Sequence, residues 1–107
     1  MSYSLRDAQY LCWKTFNKIN AMPNSTQNKS DALSTTMRRL EENVRNIIDM
    51  AKNLEANSIS EKPQTKNTLA TEFSSILFNV FVLAEHYGIN LEESFLETVN
   101  NYILKFI

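Results

Sequence analysis

One glycine and two prolines in 107 residues cannot supply the turns that a many-stranded sheet or barrel requires. The chain is therefore expected to be all-α. The same scarcity removes any glycine-rich loop, and with it the phosphate cradles of P-loop and dinucleotide-binding folds. What remains is a set of helices that must bury their apolar stripes against one another.

The length, with 43% apolar and 21% charged residues, suits a single domain spanning 1–107. Eleven basic against twelve acidic residues give a formal charge of -1, too little positive field to gather nucleic acid or anionic lipid. The single cysteine, Cys12, cannot form an internal disulfide, and a reducing, cytoplasmic setting fits best. No basic region followed by an apolar stretch opens the sequence. The longest apolar run, Ile76 to Ala84, is interrupted by Asn79, so neither a signal peptide nor a membrane span is expected.

Four segments carry helical periodicity. Leu5, Ala8, Cys12, Phe16 and Ile19 recur at steps of three and four, and Ser4 with Asp7 forms a capping-box pattern, which predicts a first helix over about 5–20. After a polar loop from Met22 to Lys29, the stripe Leu33, Met37, Leu40, Val44, Ile47, Ile48, Ala51 and Leu54 predicts a second helix over about 31–56. Ser30 is its expected cap and Asp31 its first-turn acid. Arg38, Glu42, Arg45 and Asp49 form a charged ladder on its other side. Asn57 to Lys66, with Pro63, reads as a second loop.

The third helix, about 68–87, starts amphipathic at Leu69 and Phe73 and becomes apolar nearly all round through Leu83. A helix greasy on every side must be covered on every side, so part of it is expected to be an oligomer interface. Gly88 stands where a left-handed cap belongs, and Asn90 with Glu93 opens the fourth helix, about 91–106, whose inner side is read as Phe95, Val99, Tyr102, Ile103 and Phe106.

Few residues offer chemistry. His86, the only histidine, falls in a last helical turn, where a favourable interaction with the helix dipole accounts for it. Cys12 lies on an apolar stripe, as a small buried hydrophobe would. Ser74 and Ser75 lack the glycines of a nucleophile elbow. Trp13 and Tyr10 offer flat faces that pack in cores more often than they stack on bases. Glu41, Glu42 and Glu72 sit on the two central helices, where facing carboxylates can hold metal, although Arg38 and Arg45 can pair with the first two.

The order of these helices, with Leu69-Ala70-Thr71-Glu72-Phe73-Ser74-Ser75-Ile76-Leu77-Phe78 and Tyr87-Gly88-Ile89-Asn90-Leu91-Glu92-Glu93-Ser94-Phe95, resembles the MazG-like all-α nucleoside triphosphate pyrophosphohydrolases over roughly Leu33 to Tyr102. The resemblance implies a four-helix bundle completed by forming a homodimer or tetramer. It also implies Mg²⁺ held by acidic residues of the central helices, and cleavage of a nucleoside triphosphate to monophosphate and pyrophosphate. The family pattern is Glu-x-x-Glu on one helix and Glu-x-x-Asp on the next. Here Glu72 is kept and Ser75 replaces the aspartate. Aligning the apolar stripe puts Asn43 and Asn46 at the two glutamates, with Glu42 as the preceding acid. The rival register makes Glu42 the first ligand and Arg45 the second. Thr98 and Tyr102 stand where the family often has lysine and asparagine.

On this alignment Glu72 and Glu42 are the candidate metal ligands and Asn43, Asn46 and Ser75 the candidate substrate contacts, to which Trp13 is added for the flat face it offers a nucleobase. Neutral amides and a hydroxyl neither neutralise a divalent ion nor accept a proton readily. Three lost ligands at about 2 kcal/mol each remove around four powers of ten in rate. The sequence thus favours a divergent member with weak or lost Mg-dependent hydrolysis that binds a nucleotide or a protein partner. An active pyrophosphohydrolase using other acids, and a helical adaptor that associates through helix three, are the alternatives.

Overall fold

The computed structural model describes residues 4–21, 29–57 and 63–106. They form four helices and, among the described residues, no strand: α1 (Leu5–Asn20), α2 (Lys29–Asn57), α3 (Pro63–His86) and α4 (Leu91–Phe106). The all-α expectation holds. The chain divides into two compact units, one of residues 27–80 and one made of the two ends, 1–26 and 81–107.

The unit of chain ends is organised by polar side chains around one turn. Ser4 caps α1 by accepting from the Asp7 amide while Asp7 accepts from the Ser4 amide, the reciprocal pattern that its spacing predicts. α3 ends where Gly88 takes φ +69°. There the Ile89 amide donates to the Ala84 carbonyl at 2.8 Å and the Gly88 amide to Glu85 at 3.1 Å, which satisfies two carbonyls that a helix end leaves open. Apart from its two chain neighbours, nothing lies within 4 Å of where a side chain at Gly88 would begin, so its glycine is required by backbone conformation and not by crowding. Asn90 then accepts from the Glu92 and Glu93 amides and starts α4.

Gln9 ties α1 to this turn. It is 0% exposed. Its Nε2 donates to Glu85 at 2.8 Å and to the Ile89 carbonyl at 2.7 Å, and its Oε1 accepts from the Leu91 amide at 3.1 Å. Arg6 donates to the same Glu85 carboxylate. The Arg6 guanidinium, with a smaller contribution from Gln9, lowers the Glu85 pKa from its ordinary 4.5 against the opposing effect of burial.

In the central unit α2 and α3 run antiparallel: Asn46 bonds Glu72 while Asn43, earlier on α2, bonds Ser75 and Asn79, later on α3. Ala32, Leu33 and Thr36 are buried on α2, and Leu40, Asn43 and Ile47 are half-buried along the same face.

Several expectations are corrected. α3 starts at Pro63, five residues before the predicted start, because proline's fixed φ and missing N–H suit a first helical turn as well as a loop. α2 starts at Lys29, which places Ser30 inside the helix instead of at its cap. The loop from Met22 to Asn28 lies outside the described residues. The predicted α2 stripe divides: Leu33 is buried, while Met37, Val44 and Ile48 are exposed. On α4, Phe95, Tyr102, Ile103 and Phe106 are exposed and Val99 is half-buried, since beyond Leu91 and Glu92 little of that helix is covered. The stretch Thr65–His86 is also long and apolar enough to cross a bilayer, the one such helix among the described residues. Glu72 and Glu85 within it both accept hydrogen bonds from polar side chains of this chain.

A lowered carboxylate pKa contributes stability above the unfolded value and loses it as pH falls through the folded one. Stability is therefore expected to decline more steeply below about pH 4.5 in the native chain than in Glu85→Gln. Urea midpoints measured between neutral pH and pH 3 check this, and parallel profiles contradict it.

Candidate functional site

The α2–α3 seam carries a polar cluster that follows from helical spacing. Asn43 and Asn46 are three apart on α2, and Glu72, Ser75 and Asn79 are three and four apart on α3, so each set shares one face. Asn43 Nδ2 donates to Glu72 Oε2 at 2.8 Å, and Asn46 Nδ2 to Glu72 Oε1 at 3.4 Å. Asn43 Oδ1 accepts from Ser75 Oγ at 3.1 Å and from Asn79 Nδ2 at 3.2 Å. Asn79 is buried and Asn43 half-buried.

The direction of these bonds decides what the cluster can hold. Glu72 accepts, so both asparagines turn their N–H groups toward it, and the Asn43 oxygen is left to two further donors. A magnesium ion needs several oxygens with substantial negative charge, arranged nearly octahedrally. Here one carboxylate faces amide hydrogens. Among the described residues, no three or more His, Cys, Asp or Glu side chains are placed to hold a metal ion. The residues present do not fit the Mg²⁺ that the family resemblance implies.

Of the candidate site residues, the structure brings together Asn43, Asn46, Glu72 and Ser75. Glu42 is exposed one position before Asn43, a rotation of about 100 degrees away from the seam-facing residue. Arg45, the second ligand in the rival register, pairs instead with Glu41 at 3.2 Å. Trp13 belongs to the unit of chain ends, where its ring stacks on Phe16 at 5.8 Å and lies 6.1 Å from His86. His86 also meets Tyr87 edge-on at 4.9 Å, an aromatic setting for the last turn of α3. Burial raises the Cys12 thiol pKa above its ordinary 9.0.

Sequence reasoning missed Asn79 and Gln9. Asn79 stood out only as an interruption of an apolar run, although it lies a helical step beyond Glu72 and Ser75. Gln9 lies on the α1 stripe, four residues after Leu5 and three before Cys12. A polar residue on an apolar stripe was the signal in both places.

Compared with protein-family models, curated proteins and solved structures, the chain matches none.

Replacing Asn43 by alanine strips partners from Glu72, Ser75 and Asn79 at once. The expected cost is about 1–3 kcal/mol, against under about 0.5 kcal/mol for Glu42→Ala on the exposed surface. Chemical denaturation of the two variants checks the contrast.

Proposed function

We propose that the chain is a MazG-like helical protein that works by binding, chiefly to protein, without Mg-dependent cleavage of nucleoside triphosphates. The observation carrying this reading is the direction of the seam's hydrogen bonds: the positions that the resemblance assigns to metal ligands donate to Glu72 and receive from Ser75 and Asn79. Both the nitrogen and the oxygen of the Asn43 amide are used within the chain. A triphosphate carries several negative charges, and a chain of net charge -1 whose central cluster holds a carboxylate offers it little attraction. Exposed apolar side chains on α2, α3 and α4 favour a protein partner over a nucleotide.

The test is pyrophosphate release from a panel of ordinary and modified nucleoside triphosphates with Mg²⁺ or Mn²⁺. The expected result is no release above the protein-free blank. Turnover that Glu72→Ala abolishes overturns the reading.

The register behind it has its own test. Asn43→Glu, Asn46→Glu and Ser75→Asp made together would surround Glu72 with carboxylates. This variant is expected to be less stable than the parent without metal, through like-charge repulsion, and to regain melting temperature with Mn²⁺. The parent is expected to show no such response. A variant indifferent to Mn²⁺ places the family ligand positions elsewhere on the helices.

A further inference from the structure

We draw no further inference here: the strongest candidate, the exposed apolar surface of α4 formed by Phe95, Tyr102, Ile103, Leu104 and Phe106, carries nothing because nothing in the structure shows what covers it.

Discussion

The carboxamide of Asn43 is the junction of the central unit. Its nitrogen donates to Glu72 and its oxygen accepts from Ser75 and Asn79, so one side chain joins two turns of α3 to α2. An amide can do this because it carries a donor and an acceptor on one planar group. A carboxylate in the same place would repel Glu72, and an apolar group would take from Ser75 and Asn79 their shared acceptor and leave Glu72 with Asn46 as donor. One nitrogen in place of an oxygen thus separates a seam that closes on itself from one that calls for a cation.

The unit of chain ends solves a comparable problem with Gln9. Both side chains are amides placed on an otherwise apolar stripe, and both connect helices distant in sequence. The chemistry differs in reach. Gln9 spends its hydrogen bonds on backbone and on Glu85 at a turn, where the carbonyl of Ile89 and the amide of Leu91 have no helical partner. Asn43 bonds only side chains. Among the described residues no buried side-chain polar atom lacks a partner, so neither unit leaves polar desolvation uncompensated.

Much of the helical layout was legible in the sequence because its signals are local. The Ser4–Asp7 box, Gly88 and Asn90 each act within one turn of chain, and each performs the role its spacing suggests. Pro63 was misread because proline is as well suited to a first helical turn as to a loop. The α2 stripe could be seen but not divided: periodicity shows that Leu33 and Val44 are apolar, not that one is buried while the other meets solvent. The same limit hid the inward faces expected of α4. For the cluster, aligning the apolar stripe placed Asn43 and Asn46 toward Glu72 and Ser75, because a helix rotates as a rigid object. Which amide atom faces which partner depends on both helices together, and no single stretch of sequence contains it.

The division of the chain also sets an order of assembly. Residues 27–80 are contiguous, so their mutual contacts become available while the polypeptide is still being made. Gln9 bonds Leu91, 82 positions later, so that bond cannot form until the intervening chain has been made. Closing so long a loop carries a larger entropic penalty and slower formation than the short-range pairing of α2 with α3. In a nascent chain the middle is therefore organised first, and the two ends are joined last by an amide that has stayed hydrated in the meantime.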